Sequence, residues 1–146
     1  MSRSGYSDGV EGWESIRYRG AVASAIRGKR GQQFIRDLVA SLDVLPSKRL
    51  IRHKLVDGEE VCAIGSVGKM RGVDMSAVNP EDYFDYDCGE EIASLFGIAP
   101  ALAREIMDEN DEHDFWEKET PEQRWQRVRK WAVSQLHPQP RGEDIT

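Results

Sequence analysis

The feature that most constrains the fold is an apolar stripe at helical spacing between residues 32 and 45. Its members recur at intervals of three or four residues: Phe34, Ile35, Leu38, Val39, Leu42 and Leu45. Residues at this spacing share one side of an α-helix, so the stripe predicts a helix with a broad buried face. Pro46 ends it, because proline has no N–H to continue the hydrogen-bonding ladder.

A second helix is predicted immediately before the first, from Trp13 to about Arg27. Its apolar and small residues also share one side: Trp13, Ile16, Gly20 and Ala23. We expect this face to pack against another element, and where its small residues are exposed they would let two copies pair as a homodimer. The basic turn Gly28–Gly31 breaks the helical run, so the two helices should form an αα-hairpin.

The hydrophobic period changes after Pro46. Residues 50–56 and 61–67 are rich in Val, Leu and Ile and flank the turn Asp57–Glu60, which predicts a β-hairpin with Val56 opposite Val61. The candidates for its buried face are Ile51, Leu55, Cys62, Ile64 and Val67. A two-stranded hairpin is only marginally stable alone, so it should pack on the helices.

In the rest of the chain, capping residues predict where several further helices begin and end. We expect a short helix from Asn79–Asp82, then Glu90–Phe96, Pro100–Glu112 and Pro121–Leu136. The predicted fold is therefore mainly α (α+β), a compact bundle of five or six helices with one β-hairpin at about 50–67. A chain of 146 residues fits one domain, which we place at residues 12–136 between a flexible N-terminus (1–11) and a flexible tail (137–146).

Charge is strongly segregated along the chain, although the net charge is only −6. Residues 1–56 carry 11 Lys/Arg against 5 Asp/Glu, and residues 57–122 carry 4 against 19. Residues 123–136 carry four cations and no acid. Such segregation bears on partners and on internal pairing rather than on the fold.

The acidic run gives the first hypothesis for function, a non-enzymatic protein that binds a basic surface on another protein. The candidate acidic face comprises Glu105, Asp108, Glu109, Asp111, Glu112, Asp114 and Trp116. Charge complementarity of this kind speeds association and weakens with salt. The competing interpretation is internal pairing with the cations of the last helix: Arg124, Arg127, Arg129 and Lys130.

The basic cluster near the N-terminus gives a second hypothesis. Arg27, Lys29, Arg30 and Arg36 would suit a nucleic-acid patch, because cations bind phosphates. The same residues could instead neutralise the acidic middle of the chain or bind a protein partner, and that interpretation is favoured.

Residues 90–109 resemble a helix-turn-helix unit, with Gly97 at the tight turn and Ile106 where the second helix packs back. This makes a small DNA-binding transcriptional regulator the alternative function. However, the second helix begins with residues that cannot donate hydrogen bonds to base edges: Ala99, Pro100, Ala101 and Ala103. Two packed helices without any DNA contact explain the same pattern.

No pattern supports catalysis, a cofactor or a metal. The three histidines lie far apart, Cys62 and Cys88 form no metal-spaced pair, and the acidic run lacks the spacing of a calcium loop. No apolar run reaches the length of a membrane span and no secretory leader is present, so we expect a cytoplasmic protein with reduced cysteines.

Several stretches together carry a resemblance across most of the chain. Residues 17–38, residues 61–75, and residues 96–112 followed by 119–131 are similar to small proteins encoded by tailed bacteriophages and prophages. The resemblance implies a phage accessory protein acting in the host cell. Such proteins commonly inhibit host defence by binding, as anti-CRISPR or anti-restriction factors, and the resemblance assigns no residue roles.

Overall fold

A computed structural model describes residues 9–76, 78, 88–111 and 118–138 of the chain. These residues form six helices and one antiparallel hairpin, which confirms the predicted fold class. In chain order the elements are α1 (Gly9–Arg27), α2 (Lys29–Val44), β1 (Val56–Asp57), β2 (Glu60–Val61), α3 (Ala63–Arg71), α4 (Cys88–Phe96), α5 (Pro100–Asp111) and α6 (Pro121–Ser134).

Helix α2 is the centre of the core, as its apolar stripe predicted. Phe34, Ile35, Leu38 and Leu42 are at most 1% exposed, and α2 packs against α1, α3 and α6. Burying such side chains stabilises the fold by about 1.5–3 kcal/mol each. The helix ends at Val44, where Leu45 turns to an extended conformation ahead of Pro46.

The predicted buried face of α1 is wrong. Trp13 is 65% and Ile16 is 62% exposed, whereas Val22 and Ile26 on the opposite side enter the core. The reason lies at the α1–α2 turn: a Cβ on Gly31 would lie 1.8 Å from the Ala25 carbonyl oxygen, so α2 closes on the Ala25 side. The sequence offers α1 two apolar faces, and this close approach selects one of them.

The hairpin is present but pairs only two residues on each side. Val56 lies opposite Val61, as predicted, but residues 63–67 belong to helix α3 rather than to a second strand. Cys62 caps this helix, since its sulfur accepts a hydrogen bond from the Gly65 N–H at 3.4 Å. Four of the predicted buried residues are buried and one, Ile51, is half-buried; the others are Leu55, Cys62, Ile64 and Val67.

The C-terminal helices follow their capping signals closely. Gly97 closes α4 with a φ of 70°, and Thr120 and Gln123 form the predicted capping box at the start of α6. The helix predicted from Asn79 lies outside the described residues, as do residues 1–8 and 139–146 of the predicted flexible ends. Within the described part of the chain, no helix is both long enough and apolar enough to cross a bilayer.

Candidate functional site: a basic groove

An open groove of about 770 Å³ lies between the α1–α2 turn, the α4–α5 turn, the end of α3 and the end of the described C-terminus. Its volume is in the range of ligand-binding clefts. Five cationic side chains line it: Arg27, Lys29, Arg30, Arg36 and Arg71. We call this site the basic groove. It brings together all four residues of the predicted nucleic-acid patch.

The floor of the basic groove is apolar and rigid. Phe34 and Phe96 meet edge to face, with ring centroids 5.9 Å apart and planes at 81°. Both rings are almost fully buried, at 1% and 5% exposure, and Ile98 beside them is 5% exposed. The aromatic faces are therefore used for packing, and the groove offers a ligand charged side chains along its edges.

Two arginines tie the walls of the groove together. Arg30 donates a hydrogen bond to the Gly97 carbonyl at 3.2 Å, linking α2 to the α4–α5 turn. Arg71 stacks over Phe34, 5.2 Å from the ring centroid, and pairs with Asp37 at 2.6 Å. Arg71 is thus neutralised locally, whereas Arg30 keeps its full charge with a neutral carbonyl as its partner.

A buried amide holds the C-terminal end of the described chain at the rim. Gln32 is 7% exposed and donates to the carbonyls of Ile26 and Gln135 at 2.9 and 3.0 Å. Its own carbonyl accepts from the His137 N–H at 2.9 Å. The Gln32 amide thus donates two hydrogen bonds and accepts one. These bonds hold the backbone at Gln135 and His137 beside the groove, which His137 and Pro138 help to line.

The charges of the groove are unbalanced. Among the described residues, Arg27, Lys29, Arg30 and Arg36 have no carboxylate within ion-pairing distance, and the lining contains no Asp or Glu. Helix α2 also starts here: its N-cap, Gly28, supplies no side-chain cap, and its first turn contains no acid. The positive end of the α2 dipole lies beside the four cations, as does the negative end of α1, whose last turn holds Arg27.

The predicted acidic face is divided among several internal roles. Glu105 accepts a hydrogen bond from the Tyr18 hydroxyl at 3.2 Å, and Glu109 lies 3.7 Å from Arg127. Asp111 accepts from the His53 N–H at 3.2 Å, while Asp108 is exposed. The remaining predicted members, Glu112, Asp114 and Trp116, lie outside the described residues.

Tyr18 on α1 interacts with two acidic residues of α5, Glu105 and Asp108. Burial, followed by the charges of Glu105 and Asp108, raises the pKa of the Tyr18 phenol well above its usual value. The hydroxyl therefore stays protonated and donates to Glu105 over the whole physiological range.

Ion pairs between Glu119 and two arginines of α6 join this helix to the segment that precedes it. Glu119 pairs with Arg127 at 2.6 Å and with Arg124 at 3.4 Å. Arg124 is only 5% exposed, and it donates to the Leu50 carbonyl at 2.7 Å. Burial lowers the pKa of the Arg124 guanidinium, which Glu119 partly offsets. This part of the predicted pairing between acids and the last helix is present and structural.

The helix-turn-helix-like unit packs as predicted and also borders the basic groove. Ile92 and Ile106 are fully buried between α4 and α5, and the turn residues Gly97 and Ile98 form one wall of the groove. The turn that precedes α5 thus lies beside cations that come from a different part of the chain.

The remaining reactive side chains are used structurally. Cys62 is buried in the cap of α3, and burial raises its thiol pKa to about 12. His53 has a positive φ of 71° and uses its backbone N–H to bind Asp111. Nowhere in the described ranges do three His, Cys, Asp or Glu side chains cluster as metal ligands would.

Sequence reasoning missed the groove's other contributors. Arg71, Phe96, His137 and Gln32 come from four separate elements or loops, and no pattern in the sequence brings these four together. The one available signal was the cation-rich turn itself. Comparison of the chain with protein-family models, with curated proteins and with solved structures gave no match.

Proposed function

We propose that this protein is a non-enzymatic binding protein whose interface is the basic groove and whose partner is an anionic macromolecule. The observation that supports this most directly is the convergence of Arg27, Lys29, Arg30 and Arg36 on one open cleft without a carboxylate among its described lining residues. Like charges that line one cleft repel one another, and a bound polyanion relieves that repulsion.

The net negative charge of the chain means that any affinity for a polyanion must come from a local cluster of cations such as the basic groove. A chain with a net charge of −6 gains no general affinity for polyanions. Binding through the groove therefore requires these particular residues. Some cations elsewhere in the described ranges are paired, such as Arg49 with Glu60 at 2.6 Å and Arg129 with Asp43 at 2.6 Å. Others, such as Arg52 and Lys54, are exposed and do not line the groove, so they serve as a matched comparison.

Retention on immobilised heparin tests the proposal. Lys29→Gln/Arg30→Gln removes two groove cations, and Arg52→Gln/Lys54→Gln removes two exposed cations that do not line the groove. Both variants have the same net charge. We expect the groove variant to elute at clearly lower salt than the wild type, and the control variant to elute with the wild type. Equal elution of the two variants would exclude the groove as the interface.

We propose as a second candidate that the protein is a phage accessory factor that presents an acidic surface to a basic host protein, in the manner of an anti-CRISPR or anti-restriction inhibitor. The observation that favours it is the exposure of Asp108, together with Glu90 and Glu91 at the start of α4. A host-lysate pull-down at low and high salt tests it. Capture that survives Glu91→Lys/Asp108→Lys would remove this candidate.

A further inference from the structure

We propose that the ligand of the basic groove is the phosphate backbone of double-stranded nucleic acid, bound without regard to base sequence. This inference rests on the proposed function and specifies its partner. It follows from three properties of the groove: the state of its aromatic rings, the spacing of its cations, and the chemistry of the neighbouring start of α5.

The aromatic rings argue against a single strand as the preferred ligand. Proteins that bind single strands stack the exposed bases on aromatic side chains. The two rings of the groove, Phe34 and Phe96, pack against each other and are at most 5% exposed. Arg71 already covers one face of Phe34. Among the described lining residues no other Phe, Tyr or Trp is present.

Two of the groove cations share one side of α2 at a spacing that suits a densely charged backbone. Lys29 and Arg36 lie seven residues apart on α2, which separates them by about 10 Å along the helix axis. A duplex presents one charge per about 1.7 Å of its axis, so a segment of this length offers several phosphates. Arg27 and Arg30 also line the groove and flank the α1–α2 turn.

The side chains at the start of α5 cannot make sequence-specific hydrogen bonds with bases. In a helix-turn-helix protein the first residues of the second helix reach base edges. Here they are Ala99, Pro100 and Ala101, whose side chains have no donor or acceptor. The neighbouring residues that line the groove, Gly97 and Ile98, likewise offer no side-chain donor, so the cations of α2 would supply the contacts, and these go to phosphates.

Fluorescence anisotropy at low salt tests the inference with four labelled or competing probes. These are two duplexes of about 20 base pairs with unrelated sequences, one strand of either duplex, and unlabelled poly-L-glutamate as a competitor. We expect equal affinity for both duplexes within about twofold, and affinity at least about fivefold weaker for the single strand, whose charge density is lower.

Each other outcome overturns a defined part of the inference. Tighter binding of the single strand would contradict the assignment to a duplex. A preference of about tenfold or more for one duplex would contradict sequence-independent binding and favour a transcriptional regulator that reads bases through residues 90–109. Displacement of the duplex by equimolar poly-L-glutamate would indicate an acidic protein partner.

The failure of this inference is distinguishable from failure of the proposed function. If Lys29→Gln/Arg30→Gln loses heparin binding while Arg52→Gln/Lys54→Gln keeps it, the groove is the interface whatever the duplex result. If neither variant changes heparin binding, the groove is not the interface, and the duplex assignment falls with it.

Discussion

At the scale of single residues, buried polar side chains determine how the irregular segments attach to the helices. Asn110 is 1% exposed; its carbonyl accepts from the Ala63 N–H at 3.0 Å and its amide donates to the Ile51 carbonyl at 2.8 Å. One side chain thus joins the end of α5 to the start of α3 and to the segment before the hairpin. Polar groups buried in this way cost free energy when a partner is removed.

We therefore expect Asn110→Ala to lower the free energy of unfolding by about 2–3 kcal/mol, because it leaves the Ala63 N–H and the Ile51 carbonyl unsatisfied in the core. Urea denaturation followed by circular dichroism measures this. Gln126→Ala on the exposed side of α6 serves as the control and should stay within about 0.5 kcal/mol. A loss for Asn110→Ala as small as that of the control would contradict the role given to this amide.

Because the thiol of Cys62 is buried, we expect the free energy of unfolding to decrease at alkaline pH. Burial raises its pKa from 9.0 to about 12, so the folded protein keeps the proton that the unfolded chain releases. The resulting stability is fully present below pH 9 and declines as the pH rises towards 12. The stability difference between the wild type and Cys62→Ala should therefore narrow by about 1–2 kcal/mol between about pH 8 and pH 10.5. A constant difference across this range would show that the thiol is accessible to water.

At the scale of elements, the cluster of Glu119, Arg124 and Arg127 fixes α6 against the rest of the fold. Arg124 reaches the Leu50 carbonyl, and Trp125 donates to the Leu42 carbonyl at 3.0 Å, so one turn of α6 contacts two distant parts of the chain. Glu119 supplies the negative charge that makes burial of Arg124 tolerable.

We expect Glu119→Gln to destabilise the protein by about 3 kcal/mol, because a buried guanidinium then loses its carboxylate. Glu60→Gln removes the carboxylate of an exposed pair with Arg49 and should cost less than about 1 kcal/mol. Thermal unfolding of both variants gives the comparison. Equal melting temperatures for the two variants would mean that burial of Arg124 does not depend on Glu119.

The elements also show where sequence reasoning succeeds and where it stops. The α2 stripe and the capping box of α6 are local patterns, and both were predicted correctly because the signal and the structure share the same few residues. The buried face of α1 depends on how closely α2 approaches it across the turn, and the start of α3 at Ala63 depends on its close approach to the segment before the hairpin. A Cβ on Gly65 would lie 1.9 Å from the Leu55 carbonyl oxygen, a constraint that no local period reveals.

For the candidate site too, some residues could be predicted from a local pattern in the sequence and others could not. Four groove cations were identifiable because they cluster within residues 27–36. The other contributors, Arg71, Phe96 and His137, come from segments that only the tertiary fold brings together. Internal pairing of Glu109 and Glu119 with Arg127 was an open alternative in the sequence, and the geometry of α5 and α6 shows it.

At the scale of the whole molecule, charge is separated in space as well as in sequence. Acids of α5 contact Tyr18, His53 and Arg127, while four cations of the basic groove lie at the opposite end of the α1–α2 hairpin from Trp13. On a chain with a net charge of −6, a cationic cleft free of carboxylates among its described lining residues favours one orientation of a bound polyanion.

The salt dependence of duplex binding tests this account most directly. Each phosphate neutralised by the protein contributes about −0.9 to the slope of log Kobs against log salt concentration. Four groove cations predict a slope of about −3.6 for the wild type and about −1.8 for Lys29→Gln/Arg30→Gln, with the wild-type slope kept in Arg52→Gln/Lys54→Gln. A slope near zero, or one that both double variants reduce equally, would contradict binding through the basic groove.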